Sequence, residues 1–406
     1  PRPLFDRLFG MLEVTSLLVL AACVIHIAMR WREHGIPSPR QFWNSLTTLD
    51  KAVIAFIGLA TLAVSWSDLK GVALTDLRQM VLEPAAVYLL IRTAPPTRSE
   101  RWMALHLWII TGVIVVTVGF YQFSIDWMNS PGMFTCLRSV FGTCNNAALY
   151  LIRLIPVCAA VVLMSTSARM RWGYGVAGSL MLLAIGLTLS RGGILFGLPA
   201  ALALVLIVWG GRRGLLITLA GLVLEIAVII PLVLFVPRFA NMFDTSSGSS
   251  SSFFRTQLWQ STFRLLRDHP LSGVGMDQFL YQYRGFYILP DAWQQPNLSQ
   301  PHNFILNYWV RMGIIGVGIG LWLQGLFWRM SVRAQSLLKE SDPQNRMLLI
   351  GLMGGMAAMV AHGMVDETHF VIDLATIYFF SLGMAQLIAQ EAADGKAHSG
   401  QDAAAG

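Results

Sequence analysis

The stretch Met103–Phe123 reads MALHLWIITGVIVVTVGFYQF and contains no Asp, Glu, Lys or Arg. Wound as a helix at about 1.5 Å per residue it is about 30 Å long, the thickness of a bilayer's hydrocarbon core. Runs like it recur along the chain; Gly214–Val236 is interrupted only by Glu225. Of 406 residues, 55% are hydrophobic and 13% charged. That charge content is about half what a soluble domain carries, so a water-facing surface cannot be built around this much apolar chain. Lipid offers backbone N–H and C=O groups no partner, which leaves the helix as the open-ended way to cross it. The composition therefore excludes a soluble multidomain enzyme and predicts an all-α polytopic membrane protein.

Working outward, apolar stretches bounded by polar, Pro or Gly punctuation predict eleven spans, near 8–29, 51–67, 75–92, 102–123, 147–166, 173–190, 193–209, 214–236, 302–328, 346–365 and 370–390. Arg and Lys collect in the odd-numbered gaps and the tail, and cytoplasmic loops carry such an excess. Simple alternation of eleven helices puts all those segments on one side. The C-terminus is then cytoplasmic and the first residue outside, so a further helix upstream of Pro1 is expected, making twelve. The formal charge of +7 is read as this topology signal, not as a nucleic-acid surface. Four units follow: helices one to eight in 1–236, a large outer loop over 237–301, helices nine to eleven in 302–390, and a disordered cytoplasmic tail over 391–406. The loop opens at Pro237, passes through the serine-rich tract Thr245–Ser252, and then holds ten aromatic residues between Phe253 and Trp293. That is too aromatic for a disordered linker. Arg255–Arg267 reads as an amphipathic interfacial helix.

Charges on the outer side run against the positive-inside preference and carry the chemistry. Only four of the 29 basic residues are lysine, and the outer set, which includes Arg138, Arg153, Arg191, Arg238 and Arg255, is all arginine. A guanidinium grips phosphate oxygens through paired hydrogen bonds, where an ammonium acts as a point charge. A lipid-linked phosphate or diphosphate fits such a set; the competing reading is pairing with Asp268, Asp277 or Asp291, or with lipid headgroups. Ser190-Arg191-Gly192-Gly193 places its charge on a tight turn between two apolar helices. His302, in Gln300-Pro301-His302-Asn303-Phe304, opens the ninth helix and is a candidate proton acceptor. At the outer end of the tenth helix stand His362, Asp366, Glu367 and His369. His362 and Asp366 share a helix face, but no third strong ligand is fixed by spacing, so substrate hydroxyl binding or capping is preferred to a metal. Cys136 and Cys144 share one polar loop and pair if it faces an oxidising compartment. Gly316-x-x-x-Gly320 and Gly351-x-x-x-Gly355 read as helix-packing motifs.

Taken in order, Ser190-Arg191-Gly192-Gly193, Arg255-x-x-Leu258-Trp259, His269-Pro270-Leu271-Ser272-Gly273-Val274-Gly275, Pro301-His302-Asn303 and then Gly313 and Gly316 resemble the O-antigen ligase/polymerase superfamily of bacterial membrane glycosyltransferases. Arg138-x-x-x-Gly142-x-x-Asn145-Asn146 is also similar to that family's loop before its next span, although Cys144 stands where the family tends to place Pro. The resemblance implies a GT-C-like fold and transfer of a polysaccharide from undecaprenyl diphosphate on the periplasmic face of the inner membrane, inverting and without metal or other cofactor. The branch it resembles most is O-antigen ligase, whose acceptor is lipid A–core oligosaccharide. Carried over by position, Arg191 and Arg255 hold the diphosphate and His302 deprotonates or orients the acceptor hydroxyl. Arg138 and Arg153 join the phosphate side on the bottom-up reading, and Asp366, Glu367 and His369 are candidates for the acceptor. The alternatives are an O-antigen polymerase, a protein O-oligosaccharyltransferase and, from another class, a lipid-linked glycan transporter. A single large outer loop favours the ligase; the transporter would call for inverted repeats, which the sequence does not display.

Overall fold

The computed structural model of the chain describes residues 11–129, 135–235 and 251–405. Pro237, Arg238, most of the serine-rich tract and the first residues of the 8–29 span lie outside the described residues. Among those described there is no strand, and nine helices are long and apolar enough to cross a membrane. In chain order the helices are α1 (Met11–His34), α2 (Pro39–Ser45), α3 (Thr48–Trp66), α4 (70–93), α5 (Arg98–Asn129), α6 (Cys144–Met164), α7 (Ala168–Thr188), α8 (Gly193–Gly210), α9 (Arg212–Phe235), α10 (Ser251–Asp268), α11 (Phe304–Ser341), α12 (Pro343–Gly363) and α13 (Ile372–Ala405). The two further expected spans fall on α1 and on α4. A π turn at Arg78–Leu82 divides α4, so neither of its α-helical pieces is long enough to cross alone.

Helices α6 and α12 form the centre, packed on each other and flanked by α7 and α8. Their most apolar windows are 78% and 83% buried, against 0% for α9, which leans on α8 at the rim. Small residues permit the central contact. A side chain at Gly351 would meet the Val157 backbone, and one at Gly354 would meet Pro156 and Val205. Here the predicted packing motif works between helices.

The other predicted motif works within one helix. At 38 residues α11 is far longer than a bilayer needs, and it breaks at Gly313, whose φ of +69° and ψ of −171° only glycine adopts readily. Across the break Gly320 lies against the Tyr308 ring. The opened turn receives the loop that follows α10: Val274 N–H donates to the Val310 carbonyl (2.7 Å), Ile314 N–H to that of Pro270 (3.3 Å), and Trp309 Nε1 also to Pro270 (2.8 Å). Trp66, ending α3, donates Nε1 to the Ser272 carbonyl (3.1 Å). The large loop is thus keyed into the membrane bundle.

The end of the bundle remote from His302 is tied by arginine pairs. Arg92 grips both carboxylate oxygens of Asp50 (2.9 and 3.0 Å), Arg101 grips Glu391 (2.7 and 2.8 Å), and Arg98 pairs with Asp342. Helix α13 runs to Ala405, through the residues expected as a tail. The segment after Gln390 holds six alanines, the residue that favours helix most.

Candidate functional site

His302 sits where the outer loop re-enters the bundle, and its backbone is unusual. Its φ is +48°, a left-handed conformation costly for a side chain with a Cβ. Asn303 holds it there by capping α11, accepting from Ile305 N–H (3.0 Å) and Leu306 N–H (3.1 Å) while donating Nδ2 to the Met364 carbonyl (2.9 Å). One residue earlier, the Pro301 carbonyl accepts from Trp259 Nε1 (2.9 Å), which anchors α10 beside the site. Arg255 lies four residues before Trp259 on that helix.

The His302 ring is held at Nδ1, 2.6 Å from Asp366 Oδ1. Asp366 is buried between α12 and α13 and gathers donors: Glu367 N–H (2.9 Å) on Oδ1, Asn145 Nδ2 (2.5 Å) on Oδ2, and the Arg255 guanidinium 3.9 Å from Oδ2. Burial alone would raise its pKa. The hydrogen bond from His302 and the charge of Arg255, joined by the imidazoles of His302 and His362 when these are protonated, outweigh that and hold the carboxyl well below the usual carboxylate range. Against an ionised Asp366, Nδ1 carries the proton, so Nε2 presents the lone pair. His302 is 32% exposed, and among the described residues nothing occupies Nε2.

Arg191 is carried to the same place by its neighbours. Leu189 closes α7 in a left-handed cap (φ +50°), and Ser190 then donates Oγ to Asn145 Oδ1 (2.7 Å). Gly192 lies over the buried His362 ring, where a Cβ would strike the imidazole, and Gly197 packs close to Ile152 and the His362 Cβ. His362 Nε2 in turn stands 4.0 Å from Asp366 Oδ2. Four segments far apart in sequence meet in one chain of contacts: Ser190-Arg191, Asn145, Asp366 and His302, with Arg255 arriving from the outer loop. The disulfide Cys136–Cys144 closes the loop immediately before Asn145.

Other sequence candidates go elsewhere. Arg138 is half exposed and pairs with Asp126 (3.0 Å). Arg153 is 2% exposed and gives its guanidinium to two backbone carbonyls, of Gly355 (3.2 Å) and Thr368 (2.9 Å), tying α6 to α12 and the turn after it. Glu367 points into the bundle, where Oε1 accepts from the backbone of His369 (2.6 Å) and Phe370 (2.8 Å) and Oε2 accepts from Asn307; burial raises its pKa. Asn307 leads to Arg311, paired with Asp76 and near Asp277 (3.6 Å). His369 is enclosed by Phe56, Tyr308, Phe370, Tyr378 and Phe379. Burial, together with the charges of Arg153 and Arg311, pushes its pKa down to about 3. Of the three acceptor candidates, therefore, only Asp366 reaches His302. Asn145 and Ser190 are the contacts that sequence reasoning did not assign, although both lie inside motifs it quoted. Among the described residues, no group of three or more His, Cys, Asp or Glu side chains is arranged to hold a metal ion.

Residues 176–321 match a family model described as O-antigen ligase. The match takes in Arg191, Arg255 and His302 and ends before Asp366; Asn145 precedes it. No curated protein matches the chain.

Proposed function

We propose that this chain, which belongs to the O-antigen ligase/polymerase superfamily, is a glycosyltransferase that moves O-antigen polysaccharide from undecaprenyl diphosphate to lipid A–core oligosaccharide. The observation that carries the reading is the His302 ring fixed between an ionised Asp366 and the solvent-accessible side, with Arg255 at 3.9 Å from the same carboxylate. In the step, the acceptor hydroxyl gives its proton to His302 Nε2 and its oxygen attacks the anomeric carbon. The bond from that carbon to the phosphate oxygen breaks, and undecaprenyl diphosphate leaves with the electron pair. Attack from the face opposite the leaving group inverts the centre. Arg191 and Arg255 bind the diphosphate and neutralise charge as it develops, a preorganised electrostatic contribution. Asp366 fixes the imidazole tautomer and stabilises the imidazolium formed. A positioned base adds about 10²–10⁴-fold, and holding two membrane-anchored substrates side by side adds the orientation term.

The Cys136–Cys144 disulfide beside the site supports the oxidising, periplasmic side of an inner membrane, in accord with the arginine and lysine asymmetry. The test is reconstitution of the purified chain in liposomes with lipid-linked glycan and, in separate reactions, lipid A–core or a protein acceptor, with and without chelator. Product on lipid A–core that persists with chelator is expected. Chain extension of the lipid-linked glycan alone, or product on protein alone, refutes the ligase in favour of a polymerase or a protein transferase.

A further inference from the structure

A second site lies at the other end of the molecule. Beyond the Gly313 break, α11 runs straight for long enough that Arg329 and Arg333 stand about 23–29 Å further along its axis, close to one hydrocarbon thickness away. There α3, α11 and α13 enclose an open groove of about 420 Å³, within the range of about 300–1,000 Å³ usual for ligand sites. Its walls are apolar, with Leu49, Met330, Leu337 and Ala389 among them, and Arg329 and Arg333 stand one helical turn apart at its edge.

Four arginines at this end of the bundle are committed to partners within the fold. Arg92 is committed to Asp50, Arg98 to Asp342, Arg101 to Glu391, and Arg346 to the carbonyls of Gln335 and Val208. Arg329 and Arg333 are exposed and make no hydrogen bond or ion pair with any described residue. Two unpaired guanidiniums over an apolar groove at headgroup depth match one chemistry: phosphate above, hydrocarbon below. A neutral or zwitterionic lipid leaves part of that positive charge unanswered.

We propose that this groove binds an anionic glycerophospholipid, its phosphate between Arg329 and Arg333 and an acyl chain along Met330, Leu337 and Ala389. The bound lipid fills the space between α3, α11 and α13, the helices that support the far side of the bundle from His302.

Native mass spectrometry of the full detergent-solubilised chain tests this by titration with phosphatidylglycerol and phosphatidylcholine. The wild type binds phosphatidylglycerol in preference. Each cation at a membrane surface contributes about 1 kcal/mol toward anionic lipid, so Arg329→Gln/Arg333→Gln weakens phosphatidylglycerol binding by roughly 30-fold and leaves phosphatidylcholine unchanged. Arg329→Lys/Arg333→Lys, which keeps both charges, retains most of the preference, and lipid-free melting temperatures show that both variants fold. Equal binding of the two lipids by the wild type, or undiminished phosphatidylglycerol binding by the folded Gln pair, overturns the assignment. Cross-linking from Met330 to a protein segment instead of to lipid does so as well.

Discussion

Replacing Asp366 with Asn tests the base and its support together, since the two side chains have nearly the same shape. The 2.6 Å bond to His302 is charge-assisted, and such bonds contribute about 1.5–3 kcal/mol. Lost orientation alone then slows the step roughly 10- to 150-fold, at about 1.4 kcal/mol per factor of ten. A second effect adds to it. The amide of Asn can donate to Nδ1, which moves the ring proton to Nε2 and removes the lone pair that accepts the hydroxyl proton. The general-base contribution at stake is about 10²–10⁴-fold, so Asp366→Asn lowers kcat by about that range. Arg191 is unchanged and Arg255 loses only a carboxylate charge 3.9 Å away, so KM for the lipid-linked donor stays near the wild-type value. The assay is initial-rate transfer in liposomes over a donor series at saturating acceptor, with thermal unfolding followed in parallel. The Asn oxygen still accepts from Asn145 or from Glu367 N–H, so the fold is retained. A well-folded Asp366→Asn enzyme with kcat within about tenfold of wild type would refute the role of this pair.

Two arginines give opposite signatures. Arg191→Lys loses transfer nearly as fully as Arg191→Ala at unchanged melting temperature, because paired hydrogen bonds to phosphate are lost; Arg153→Lys lowers thermal stability by about 1–3 kcal/mol, the cost of unmet buried carbonyls, with little change in donor KM. Gly313→Ala, forced to φ +69° against the Leu271 carbonyl, destabilises the chain by several kcal/mol in a melting assay, well beyond the roughly 1 kcal/mol of an ordinary helix Gly. His369 is held neutral down to about pH 3 in the folded chain, while an unfolded imidazole titrates near about 6.5. Between those values the unfolded state binds the extra proton, so His369 costs stability as pH falls from about 6.5 toward 3. His369→Phe, seated in the same aromatic enclosure, flattens the melting temperature over that window; an unchanged slope assigns the acid sensitivity elsewhere.

Hydropathy alone locates the helices, because crossing lipid imposes length and apolarity on each segment independently of its neighbours. What hydropathy misses depends on partners. The π turn in α4 and the break in α11 follow from contacts with residues distant in sequence. Gly316 and Gly320 have the same spacing whether they face another helix or, as here, the chain's own Tyr308. Arg191, Arg255 and His302 are readable because each stands in a short local pattern. Asp366 is visible only as one of several polar residues at a helix end; its link to His302 spans 64 residues and depends on how α11 meets α12. Arg153 shows the converse limit. A lone cation in an apolar run reads as a ligand for phosphate, yet two backbone carbonyls exposed by neighbouring turns use the same guanidinium fork.

The break at Gly313 has a consequence for biogenesis. A helix that parts midway to admit a segment from outside the bilayer cannot complete its packing when the translocon releases it. Residues 269–276 must already have been handed across to the same face, so the last three crossings and the outer loop mature as one cooperative unit. A chain stalled between those events would expose an unlatched helix to membrane proteases. Damage to the loop should therefore register first as missing protein and only afterwards as missing activity.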